Sequence, residues 1–159
     1  TMKRQLDDYY SKFYCKQAKR YHHLIANDSK AARELAAWKE SVAAKWHAIE
    51  VLSIESDNGF ATDNMSAGAE YNVTVKVDEK GLDNAVGIEL VVLAPDANGN
   101  DSVFAVFPLE VVKREGNIFT FHALVSPGNA GSFKLAYRMY PKYEELPHRQ
   151  AFAYVKWFA

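Results

Sequence analysis

The hydrophobic period of this chain changes once, and that change limits what the chain can fold into. Ahead of residue 48 the apolar residues recur at three- and four-residue steps; beyond it they alternate. The first pattern belongs to helices and the second to half-buried strands. Turn-forming residues follow the same division. Neither glycine nor proline occurs in residues 1–58, and both are frequent afterwards. The chain therefore reads as a helical hairpin over 1–47 followed by a β domain over 48–159.

In the helical part, Leu6, Tyr10, Phe13, Tyr14, Ala18, Tyr21 and Ile25 form one stripe, widened by Tyr9 and Met2. Asn27-Asp28-Ser29 supplies a turn and a cap for a second helix, which runs to about Trp46 with Leu35, Trp38, Val42, Trp46 and Ile49 as its stripe. Alanines on its flanks admit a close neighbour, so the expectation is an antiparallel pair. Tyr9, Tyr10, Phe13, Tyr14, Trp38 and Trp46 are the residues expected to pack that pair or to dock it on something larger. A helical repeat is already running by Leu6 with no cap ahead of it, which reads as a piece of a longer chain.

Strands are expected at about 48–55, 69–78, 86–94, 102–113, 117–125, 131–140 and 150–158. The clearest is Tyr71, Val73, Val75 and Val77 alternating with polar neighbours. Lys80-Gly81, Asn98-Gly99, Glu115-Gly116-Asn117 and Pro127-Gly128-Asn129 carry turn chemistry. Seven short strands at this spacing read as an immunoglobulin-like antiparallel β-sandwich, making the fold mainly β with an N-terminal helical pair. Residues 118–125 and 150–158 are apolar on both faces. A sandwich strand needs only one dry face, so a second covering is expected from the helix pair or from another domain.

Little in the chain suggests chemistry. The net charge is −1 with mixed signs, which gives no case for nucleic acid or an anionic membrane. The apolar runs are far short of a membrane span. The one cysteine, Cys15, excludes an internal disulfide and points to a reducing cytoplasm. No phosphate-binding glycine pattern, nucleophile elbow or H-E-x-x-H motif occurs. His22-His23 and His47 sit at helix ends, where positive charge meets the negative end of the dipole. Asp96–Asp101 begins like a calcium loop but has Asp101 where that loop needs glycine and Phe107 where it needs glutamate, so it reads as a hairpin turn. Aromatic residues make up 13% of the chain, and Tyr140, Tyr143 and Trp157 could form a platform for stacking sugars.

Several stretches carry a resemblance. Met2-Lys3-Arg4-Gln5-Leu6-Asp7-Asp8-Tyr9-Tyr10-Ser11-Lys12-Phe13-Tyr14 and Ala37-Trp38-Lys39-Glu40-Ser41-Val42-Ala43-Ala44-Lys45-Trp46 are two of them. The tail adds Gly131-Ser132-Phe133, Tyr137-Arg138-Met139-Tyr140-Pro141-Lys142, Leu146-Pro147-His148-Arg149 and Val155-Lys156-Trp157. Together these resemble the C-terminal region of the short bacterial and archaeal α-glucan (glycogen/maltodextrin) phosphorylases. Where that family often shows Pro-Lys-His, this chain has Pro141-Lys142-Tyr143. The resemblance implies a parent that transfers glucosyl units between an α-1,4-glucan and phosphate, using pyridoxal phosphate on a lysine upstream of the matched region. No catalytic, cofactor or metal residue carries over to this chain. Its implied partner is the parent's catalytic domain, in the cytoplasm. The alternatives are a module that binds α-glucan and a self-association module in which doubly apolar strands meet their copies.

Overall fold

A computed structural model describes residues 1–57, 64–65, 68–126, 128, 131–144, 146 and 148–158. The chain forms two compact units, Thr1–Ser41 and Val42–Ala159. The turn expected at 127–129 lies mostly outside the described residues, as do Glu145 and Pro147.

The helical segment comprises α1 (Met2–Tyr9), a π-helical turn (Tyr10–Tyr14) and α2 (Cys15–Lys45). Non-helical backbone at Ala26–Ser29 divides α2 into two helices. Asn27, Asp28 and Ser29 all take positive φ there. Short polar side chains tolerate that region better than bulky ones, so the break falls on the three residues read as a turn. Of the second stripe, Leu35, Val42, Trp46 and Ile49 are buried and Trp38 is half-buried. The first stripe has no such cover: Leu6, Tyr9, Tyr10, Phe13, Tyr14 and Tyr21 are all exposed. The four rings at 9–14, expected to pack the pair or to dock it, thus stand open to solvent.

Beyond Lys45 a 3-10 turn (Trp46–Ala48) leads into the strands. These are β1 (Glu50–Ser56), β2 (Asn64–Met65), β3 (Tyr71–Asp78), β4 (Val86–Pro95), β5 (Asp101–Glu115), β6 (Ile118–Val125), β7 (Gly131–Ser132), β8 (Lys134–Pro141) and β9 (Lys156–Phe158). Seven of them form one antiparallel sheet in the order β1-β3-β6-β5-β4-β8-β9, while β2 and β7 form a separate ribbon. The expected strand at 150–158 is corrected. Arg149–Phe152 is a 3-10 turn, and only Lys156–Phe158 joins the sheet. One face of its apolar pattern is packed, Tyr154 lying against Trp46 with ring centroids 5.8 Å apart and Phe158 stacking on Tyr137 at 5.5 Å, while Val155 and Trp157 on the other face are exposed.

The long strand β5 bends the sheet. Its first part pairs with β4 and its second with β6. Register shifts leave Phe104 and Val112 without a partner. Such bulges bend the strand that carries them and increase its twist, and the sheet curls. The inward residues of both halves are then dry. Val73, Val75 and Val77 face Ala123, Phe121 and Phe119 across β3 and β6, while Ile88 and Leu90 face Met139 and Tyr137 across β4 and β8. Asn98-Gly99 turns the chain as expected: the Asp96 carboxylate accepts from the amides of Asn98 at 2.8 Å and Asn100 at 2.9 Å.

Between β3 and β4 the chain winds around a buried acid. Lys80, Gly81, Asp83 and Asn84 all have positive φ. The Glu79 amide donates to the Asn117 carbonyl at 2.9 Å, and the Glu79 carbonyl accepts from Leu82 at 3.2 Å. The side chain is 0% exposed. Its Oε2 accepts from the Ala85 amide at 3.1 Å, whereas Oε1 has no partner. Burial pushes this carboxyl up from 4.5 to about 7, against the pull of the Ala85 and Asn84 amides and of Arg114.

The folded form thus holds a proton that the unfolded chain gives up near pH 4.5. The stability from Glu79 is complete below that pH and is lost as pH rises towards about 7, a span worth about 3 kcal/mol. Glu79→Gln imitates the protonated acid. Its melting temperature should exceed that of the parent sequence increasingly from about pH 5 to about pH 8; equal differences at both ends of that range would contradict the assignment.

Candidate functional site

Two surfaces hold unusual concentrations of side chains. The first is the aromatic ridge of the helical unit. Rings four residues apart meet on one helix face: Tyr9 and Phe13 have centroids 5.6 Å apart, and Tyr10 and Tyr14 stack at 5.2 Å. Tyr10, Phe13 and Tyr14 belong to the π-helical turn and Tyr9 immediately precedes it. The four rings remain 56–63% exposed. A groove of about 510 Å³ runs along them, bordered by Leu6, Asp7, Tyr9, Tyr10 and Tyr14. All its walls come from one short stretch of helix, and Asp7 is the only ionisable carboxyl among them. The ridge thus presents apolar rings and a single carboxylate.

The second surface is the outer face of β4, β8 and β9. Strand alternation sends Tyr137 and Met139 inward and leaves Arg138 and Tyr140 outward. In register, Arg138 lies opposite Glu89 on one side and Trp157 on the other, while Tyr140 lies opposite Gly87. Glu89 is buried, and its Oε1 accepts from Arg138 Nε at 2.5 Å and from Arg149 Nη1 at 2.7 Å. Arg138 Nη2 also pairs with it. A buried carboxylate is tolerable when charge partners and hydrogen bonds replace its water.

The two arginines also stack on rings. Arg149 lies 3.9 Å from the Tyr140 centroid, and Arg138 lies 5.3 Å from that of Trp157. Gly87 makes room for Tyr140, since a Cβ there would fall 2.4 Å from the tyrosine Cζ. Arg149 thereby clips the segment between β8 and β9 onto the sheet. Under that segment lies a groove of about 240 Å³, bordered by Arg138, Tyr140, Arg149, Gln150 and Tyr154 among others.

The three residues read as a sugar platform divide between these features. Tyr140 and Trp157 share the outer face, but each already has an arginine against its ring. Tyr143 borders a different hollow of about 200 Å³, together with Tyr140, Lys142, Leu146 and Arg149. Trp38 and Trp46 are withdrawn from solvent to different degrees, Trp46 being almost fully buried. Sequence reasoning missed Glu89 and Arg149. Glu89 sits in Val86–Val92, an otherwise apolar run, and a lone acid in such a run signals a buried partner. The partner's position, sixty residues downstream, follows from the fold alone.

Gly87→Ala should force Tyr140 away from Arg149. The expected result is a loss of about 1–3 kcal/mol of stability, with a change in the aromatic resonances of Tyr140. Unchanged stability and spectra would contradict the close approach.

Residues 46–159 match a family model described as the glycogen phosphorylase C-terminal domain. No curated protein and no solved structure matches the chain. The matched span covers the curled sheet and the 3-10 turn ahead of it, and the aromatic ridge precedes it.

Proposed function

The chain belongs to the glycogen phosphorylase C-terminal domain family, and we propose that it is a non-catalytic accessory region whose aromatic helix docks on the catalytic domain of its parent enzyme. The observation that carries this reading is the run of half-exposed rings at Tyr9, Tyr10, Phe13 and Tyr14. Contiguous exposed apolar surface of this kind marks interaction sites. Burying one such side chain contributes roughly 1.5–3 kcal/mol, so a few suffice to hold a domain in place. The parent would be of the short bacterial or archaeal type and would work in the cytoplasm. Pyridoxal phosphate belongs to the catalytic domain in this reading, and no residue of this chain is assigned to it.

We read the curled sheet as an immunoglobulin-like sandwich. Its order β1-β3-β6-β5 followed by β4-β8-β9 follows the ABED and CFG sheets of that fold. Here β5 would join the two sheets. Among the described residues no helix is long and apolar enough to cross a membrane.

A second reading is glucan binding. It is favoured by Trp157, which is 55% exposed at the sheet's edge strand. Retarded migration of the chain in gels containing glycogen, lost in Trp157→Ala, would support it; unretarded migration leaves docking as the reading. Self-association is a third, and a monomer in sedimentation would count against it.

On the docking reading the isolated chain should release no glucose-1-phosphate from glucan, with or without added pyridoxal phosphate. Phe13→Ala should leave the melting temperature of the isolated chain nearly unchanged, because the ring is exposed. In the full-length enzyme the same change should lower the temperature at which the two domains separate. A normal full-length enzyme carrying Phe13→Ala together with Tyr10→Ala would overturn the proposal.

A further inference from the structure

The groove beneath Arg149 carries a charge imbalance among the described residues. Two guanidinium groups, Arg138 and Arg149, meet the single carboxylate of Glu89. Among the described residues bordering the groove there is no carboxylate, so among them the two arginines and Glu89 leave one positive charge over. The two arginines differ in access. The Arg138 side chain is mostly covered, while that of Arg149 is half open to solvent. Both are held in place, Arg138 by Glu89 and the Trp157 ring and Arg149 by Glu89 and the Tyr140 ring. Preorganised guanidinium forks suit carboxylate and phosphate oxygens.

The remaining walls contribute the amide of Gln150 and the apolar surfaces of Tyr140, Ala153, Tyr154 and Val155. Tyr154 is fixed between Trp46 and Phe152, with centroids at 5.8 and 4.9 Å. A concave space of about 240 Å³ with apolar walls and a few convergent polar groups has room for a small anionic group. A protein side chain would need no such walls.

We propose that this groove binds a small molecule through a phosphate or carboxylate group, with Arg149 as the principal contact and Arg138 and Gln150 beside it. The Glu89 carboxylate acts as the positioning group: it fixes both arginines and brings the net charge of the three-residue cluster to +1.

The probes are inorganic phosphate and acetate, each titrated into the whole chain at constant ionic strength and followed by the arginine Nε–H and backbone resonances. Phosphate should give saturable shifts at Arg138, Arg149 and residues 150–155, with dissociation in the millimolar range, about 1–10 mM. Weaker saturation by acetate would assign the site to phosphate, and the reverse to carboxylate. Arg149→Gln should weaken binding by about tenfold or more.

Because that change also unclips the covering segment, Ala153→Glu gives a second measure. It places a carboxylate at the rim of the groove and leaves the Glu89 cluster whole, so it should abolish the shifts while the melting curve stays two-state. Arg33→Gln, on the separate helical unit, should change nothing. The proposal is overturned if phosphate and acetate give no saturable shift, or if Ala153→Glu binds as well as the parent sequence.

Discussion

Most of this structure depends on the continuous ladder that runs through β5. One strand, Asp101–Glu115, hydrogen-bonds to β4 along its first part and to β6 along its second. The bulges at Phe104 and Val112 let it turn between the two without breaking. Without that turn the inward residues of β3 and β6, and those of β4 and β8, would lie on one open sheet with a wet apolar face. Pro108 fits the arrangement. It lies in the part of β5 that pairs only with β4 among the described residues, and proline is tolerated where a strand has a free edge.

Curling dries the inner face of β4 and β8 but leaves the outer face to be covered by something else. The segment between β8 and β9 does this, and its fastening is ionic. Glu89 sits at the centre of β4 with Arg138 beside it in register and Arg149 brought over from the covering segment. An unpaired carboxylate there would lose its water with nothing in return, so the burial of Glu89 and the position of residues 149–155 are one arrangement. Gly87 and Tyr140 add a steric requirement to the electrostatic one. The groove that results is a by-product of covering the sheet, and its arginines are rigid for reasons of folding.

The two helical stripes show how far periodicity can be read. Both have the spacing of an amphipathic helix. The stripe through Leu35, Val42, Trp46 and Ile49 is dry. The stripe through Leu6, Tyr10, Phe13 and Tyr21 stands open and lies ahead of the span that matches the family. A repeat of apolar residues specifies which face is sticky; it carries no information on what covers that face. The same limit explains residues 150–158. Their apolar alternation read as a strand, but Arg149–Phe152 coils because its side chains are claimed by Glu89, Tyr140 and Tyr154.

By itself the sequence determined the order of the elements. Local chemistry sufficed for that: short-range periodicity, the absence of glycine and proline before residue 59, and polar turn residues at 27–29, 80–81, 98–99 and 115–117. Its terminal motifs also carried a resemblance to the family whose model matches residues 46–159. Tertiary structure alone decided which strand bends, which acids are buried and which arginines meet them. Glu79 looks like an ordinary surface residue, and Glu89 shows only that it needs a partner, until chain segments distant in sequence remove their water. Desolvation and charge pairing depend on the whole surrounding shell of atoms, and no window of neighbouring residues contains that shell.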